Sequence, residues 1–109
     1  MSFYTFDQNN SGGSFINDNN VTNYVIIEAD DYRFANIIAE DKGIYFNGCE
    51  EDIDCPCCGD RWYPAYGKGD TDPLVYGENP GLYDCMWVKK GEVYCRVYYK
   101  DGTIKEFVK

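Results

Sequence analysis

A chain of 109 residues is the size of one ordinary domain, and 44% hydrophobic residues suffice for a core and exceed what a disordered tail carries. A formal charge of −9 repels phosphate, which argues against direct binding of DNA or RNA. No apolar run approaches the ~20 residues needed to cross a bilayer, so no membrane span is expected.

The charge is lopsided. Residues 1–84 carry 16 acidic against 4 basic side chains, a net of −12, while residues 85–109 carry 3 against 6, a net of +3. That distribution reads either as a solubilising acidic surface or as a negative face aimed at a basic partner. Met1–Phe6 has neither a basic n-region nor a long apolar run, so the expected location is the cytosol, where thiols stay reduced.

In chain order, Phe3–Phe6 reads as a short aromatic strand. Residues 7–14, rich in Asn and Gly, read as a loop, and Phe15-Ile16 as a brief return strand. Residues 21–28 alternate, with Val21, Asn23, Val25 and Ile27 on one face and Thr22, Tyr24 and Ile26 on the other, predicting a strand with one side well buried. Asp30 or Asp31 can cap a helix, and Phe34, Ile37, Ile38 and Asp41 fall on one stripe at helical spacing. With Gly43 suited to the left-handed residue beyond the last turn, Asp31–Lys42 is predicted as one amphipathic helix of about three turns. Residues 44–46 are expected to resume as a strand, which completes a ββ(β)α(β) half over residues 1–48.

Residues 49–81 form a Cys-, Pro- and Gly-rich loop; its part from 63 to 81 holds three of the four prolines and four of the eleven glycines. A structureless stretch this long is usually functional or tied down. Leu82–Val88 and Glu92–Tyr99 read as strands joined by Lys89-Lys90-Gly91, and Asp101-Gly102 turns the chain into Thr103–Val108. The expectation is therefore a three-stranded meander over residues 82–109, with Cys85 opposite Cys95. The fold class is α+β: a single domain with an antiparallel sheet, one packed helix, and Phe34, Ile37, Ile38, Val25 and Ile27 in the core.

The six cysteines carry the clearest chemistry. Cys55-Pro56-Cys57-Cys58-Gly59 has the Cys-Pro-x-Cys-Gly form of a zinc knuckle, in which two thiolates three apart share one metal and glycine lets the backbone turn toward the sulfurs. The chain has no histidine, so a site made by protein alone is expected to be a four-cysteine site. Cys55 and Cys58 are the first expected ligands of a structural zinc and Cys85 and Cys95 the completing pair, with Cys49 and Cys57 as substitutes. Disulfides, buried free thiols or a reactive cysteine are the alternatives. A missing histidine base and the absence of any phosphate-binding glycine loop weigh against an enzyme, so no catalytic residue is assigned. Glu50, Glu51, Asp52 and Asp54, followed by Trp62 and Tyr63, combine a charged rim with aromatic anchors and are the candidate partner-binding set.

FYTFDQNNSGGSF (Phe3–Phe15), YVIIEADD (Tyr24–Asp31) and CPCCGDRW (Cys55–Trp62) together resemble small proteins of tailed bacteriophages that share a domain of unknown function. The resemblance covers roughly the first 65 residues. It implies a phage gene product acting in the host bacterial cytoplasm, and by analogy one that binds and disables a host or anti-phage defence protein. The functional expectation is a zinc-stabilised acidic protein that binds a bacterial protein with a basic surface. A small metal-dependent or thiol enzyme and a self-associating structural protein are the alternatives.

Overall fold

The computed structural model describes residues 2–9, 15–54, 56 and 58–109. Its elements are strand β1 (Ser2–Asp7), strand β2 (Tyr24–Ala29), helix α1 (Tyr32–Asp41), strand β3 (Val93–Tyr98) and strand β4 (Ile104–Val108), with a 3-10 turn at Pro80–Leu82. The four strands form one sheet in the order β1-β2-β3-β4. β1 and β3 run antiparallel to β2 and β4 respectively, but β2 and β3 are parallel, pairing Tyr24 with Cys95 and Ile27 with Tyr98. The class is α+β, and the sheet is mixed rather than wholly antiparallel.

The path between β2 and β3 explains the parallel pair. After α1 the chain stays on the helix side, where Ile44 and Trp62 join Tyr4, Phe6, Val25, Ile27 and Ala29 in one buried cluster. It then rounds the outer edge of β1, where Phe3 and Asp70 exchange backbone hydrogen bonds of 2.8 and 2.9 Å. Gly69 makes that close pass, since a Cβ there would lie 2.8 Å from the Phe3 carbonyl oxygen. Beyond the edge, Val75, Cys85 and Val88 cover the opposite face with Phe3, Tyr24, Ile26, Cys95 and Val97 in a second cluster. The chain thus passes from one face to the other before entering β3, and both faces of β2 are buried rather than one. The bridge to Asp70 also occupies part of an edge that would otherwise invite pairing.

Three expected strands are absent: Phe15-Ile16, residues 44–46 and Leu82–Val88 are irregular or turn. The C-terminal meander is therefore a single hairpin, β3–β4. Gly91, at φ +94°, does turn the chain, but it delivers it from the covering segment; its amide donates to the Lys109 carbonyl at 2.9 Å, at the far end of β4. Cys85 accordingly meets Cys95 by packing over the sheet, not as a ladder neighbour.

The helix lies as expected. Asp31 caps it, its carboxylate accepting from the amides of Arg33 (2.9 Å) and Phe34 (3.2 Å), and Lys42 closes it. Its buried stripe is different. Ala35 and Ala39 are fully buried, flanked by the partly buried Tyr32 and Ile38, whereas Phe34 and Ile37 are 54% and 62% exposed. The small alanines let the helix backbone approach β2 closely, and Lys42 extends the stripe by laying its ammonium 4.8 Å from the Tyr98 ring centroid. Of the five expected core residues, Val25 and Ile27 are fully buried and Ile38 partly so.

Candidate functional site

The acidic loop begins where Asn47 takes a left-handed φ of +59° and the chain coils into tight turns, the amides of Glu50 and Glu51 both donating to the Asn47 carbonyl. Glu50, Glu51 and Asp52 project from these turns and are exposed. Gly48 has no room for a side chain: a Cβ there would overlap the Asp54 carboxylate and crowd the Tyr45 ring. Its carbonyl accepts from the amides of Ile53 (2.9 Å) and Asp54 (3.0 Å), which turns Asp54 inward.

Asp54 organises the base of the loop. Its Oδ1 accepts from the Tyr45 hydroxyl at 2.7 Å and its Oδ2 from the Arg61 amide at 2.7 Å, and the Arg61 Nε stands 3.8 Å from Oδ1. Burial raises the Tyr45 pKa, and the hydrogen bond to Asp54 raises it further, so the hydroxyl stays the donor the carboxylate needs. The Arg61 Nε also donates to the Tyr45 oxygen at 3.1 Å, and its Nη1 to the Gln8 side-chain oxygen at 2.8 Å. Gln8 in turn donates to the carbonyls of Ile16 and Thr22. Asn9 completes the seam: its amide donates to the Arg61 carbonyl at 2.9 Å and its side chain to the Cys58 carbonyl at 2.7 Å. The loop is thereby stitched to the end of β1 through the buried Gln8, Asp54 and Arg61 and the partly buried Asn9. On its far side Asn36 of α1 exchanges hydrogen bonds of 2.9 and 2.7 Å with the backbone of Ala65.

The six candidate contact residues separate into two groups. Glu50, Glu51, Asp52 and Tyr63 face solvent, Tyr63 being 58% exposed. Asp54 and Trp62 point inward, at 6% and 1% exposure, and serve the packing of the loop.

The cysteines separate as well. Cys58 is exposed, and Gly59 after it takes a φ of +84°, the left-handed turn a knuckle requires. The Cys49 amide donates to the Asp60 carboxylate at 2.9 Å, which brings Cys49 to the knuckle end of the loop. Cys55 and Cys57 lie outside the described residues. Cys85 and Cys95 sit together in the cluster on the opposite face of the sheet. Burial, with the neighbouring Cys85 adding to it, pushes the Cys95 thiol up to about 12.

Arg61, Tyr45 and Gln8 carry the loop architecture and were not singled out from sequence. The available signal was a lone arginine closing a strongly acidic stretch. Beside Tyr63 a cleft of about 300 Å³ lies among Asp7, Gln8, Asn9 and Tyr76; nothing in the linear pattern joins residue 7 to residue 76.

These features define an α+β domain whose mixed sheet is covered on both faces at its inner strands, β2 and β3, while β4 is mostly exposed, and whose polar loop is anchored to the first strand. The chain belongs to a family defined by a domain of unknown function, DUF7296, whose model matches residues 1–109. No curated protein and no solved structure matches it. Among the described residues, no helix is long and apolar enough to cross a membrane.

Proposed function

We propose that this protein acts by protein–protein contact, presenting Glu50, Glu51, Asp52 and Tyr63 to the basic surface of a bacterial partner in the cytoplasm. The observation that supports this reading most is the Asp54–Arg61–Gln8 seam, because it holds an exposed acidic turn in place from beneath. A turn held before binding loses less conformational entropy on association than a free one. Its charge speeds encounter with a positive partner and makes the association sensitive to salt. By the phage resemblance, that partner is a host or anti-phage defence protein whose action the bound acidic face blocks.

Affinity capture from bacterial lysate at low and high salt, with wild type beside an E50Q/E51Q/D52N variant, tests the reading. The expected result is a specific partner held by wild type at low salt, released at high salt and lost from the variant. Equal capture by the variant would sink the acidic-face mechanism.

The same reading includes a structural zinc in the loop, with Cys55 and Cys58 as ligands and Cys49 and Cys57 completing the set. The left-handed turn at Gly59 and the Asp60 link to Cys49 support the local set. The position of Cys85 and Cys95 in the far cluster favours it over the cross-sheet pair. A bound zinc would stiffen the turn and add folding stability, since the unfolded chain has no preformed site. Protein purified without added metal is expected to hold about one equivalent of zinc. Cys58→Ser should lose it and Cys85→Ser keep it. Less than about a tenth of an equivalent in wild type would end the zinc assignment.

A further inference from the structure

On the sheet face away from α1, the end of β1 meets residues 70–77. The Thr5 hydroxyl donates to the Leu74 carbonyl at 2.6 Å, and the Tyr76 hydroxyl donates to Asp7 Oδ2 at 2.8 Å. Between these contacts lies an open groove of about 230 Å³ lined by Thr5, Asp7, Tyr24, Asp70, Val75 and Tyr76. Its aromatic walls are set at a right angle. The Tyr24 and Tyr76 ring centroids are 5.9 Å apart at 82°, and Tyr83 backs them, its hydroxyl 2.9 Å from that of Tyr24. Tyr76 is held there against its own preference: its φ is +50°, and the bridge between Val75 and Glu78 (2.8 and 3.0 Å) fixes the turn around it. The residue nevertheless stands 69% exposed. The cleft beside Tyr63 shares Asp7 and Tyr76 with this groove and so continues it toward the acidic loop.

We propose that the groove receives the guanidinium group of an arginine on the partner protein, which stacks on a tyrosine face and donates to Asp7. The two requirements of that group meet here. A planar, weakly hydrated cation is attracted to an aromatic face, and its forked N–H groups suit a carboxylate. Asp7 spends one lone pair on Tyr76, and a carboxylate offers about four, so it retains acceptor capacity. A compact, strongly hydrated ammonium exploits the flat walls less well. An anionic ligand is disfavoured by Asp7, Asp70 and the net charge of −9. The inference rests on the basic-partner reading above and supplies an anchoring point for it.

The test is an NMR titration of the full chain with n-propylguanidinium chloride, with n-butylammonium chloride at matched ionic strength as the contrast. Saturable shifts are expected at residues 5–7 and 75–77 and not at residues 50–52, with the guanidinium binding more tightly. Asp7→Asn and Tyr76→Ala should each weaken it by about tenfold, the combined loss of an ion pair and an aromatic face in a partly exposed site. Should either variant fail to fold, Asp70→Asn changes the groove charge while keeping the backbone bridge to Phe3. No saturable shift at residues 7 and 76, or unchanged affinity in the folded variants, overturns the proposal. A silent groove together with intact, acid-dependent capture removes this inference alone. A groove that titrates as expected with no basic partner captured instead removes the reading on which it rests.

Discussion

Arg61→Ala is expected to destabilise the protein by about 3–5 kcal/mol, because it leaves the Asp54 carboxylate buried beside a cavity where a cation stood. The side chains of Arg61 and Asp54 are 10% and 1% exposed, so water cannot readily take over the lost interaction. The substitution also removes donors to Tyr45 and Gln8, and each acceptor left unsatisfied adds to the cost. Urea unfolding of Arg61→Ala, Asp54→Ala and the double variant provides the check. The double variant should lose distinctly less than the sum of the two singles, since it never buries one charge without the other. A single-variant loss below about 1 kcal/mol, or strict additivity, would show that the two groups do not act as a unit.

Trp62→Ala should cost a further amount of the same order, about 3–5 kcal/mol, while Tyr63→Ala next to it should change stability by no more than about 0.5 kcal/mol. Trp62 is 1% exposed in the helix-side cluster with Ile44, Val25 and Ile27, whereas Tyr63 is 58% exposed. Removing the indole opens a cavity between the loop and the sheet that the rigid strands cannot collapse to fill. Thermal or urea denaturation of the pair settles the matter, and equal losses from the two neighbours would contradict the placement of Trp62 in the core.

The helix boundaries were legible because they rest on local chemistry. Asp31 and Lys42, the caps of Tyr32–Asp41, are settled by hydrogen bonds within a few positions in sequence. Which face of that helix is buried was not, because apolar bulk pointed to Phe34 and Ile37 while the sheet needed the small Ala35 and Ala39. The Leu82–Val88 segment shows the same limit. Its composition suits a strand, but β3 already has β2 and β4 as neighbours, so the segment packs over the sheet instead. In the loop, the acidic run was visible as charge. That Asp54 turns inward while Glu50, Glu51 and Asp52 remain outside depends on Gln8 and Arg61, 53 positions apart. The aromatic groove is hidden for the same reason, since Asp7 and Tyr76 are 69 positions apart.

The route of the chain around the edge of β1 bears on how the molecule comes into being. β3 sits between β2 and β4 in the interior of the sheet, yet it follows β2 only after residues 30–92 have been laid down. The β1–β2 pair is in place early but has neither its inner neighbour nor the cover of Val75, Cys85 and Val88 until late in synthesis. A two-stranded unit backed by α1 on one face only is marginal in water, and closing so long a connection costs entropy before the parallel pairing rewards it. Completion of this domain is accordingly expected to wait on its C-terminal hairpin, the nascent β1–β2 pair keeping the face away from α1 uncovered until then.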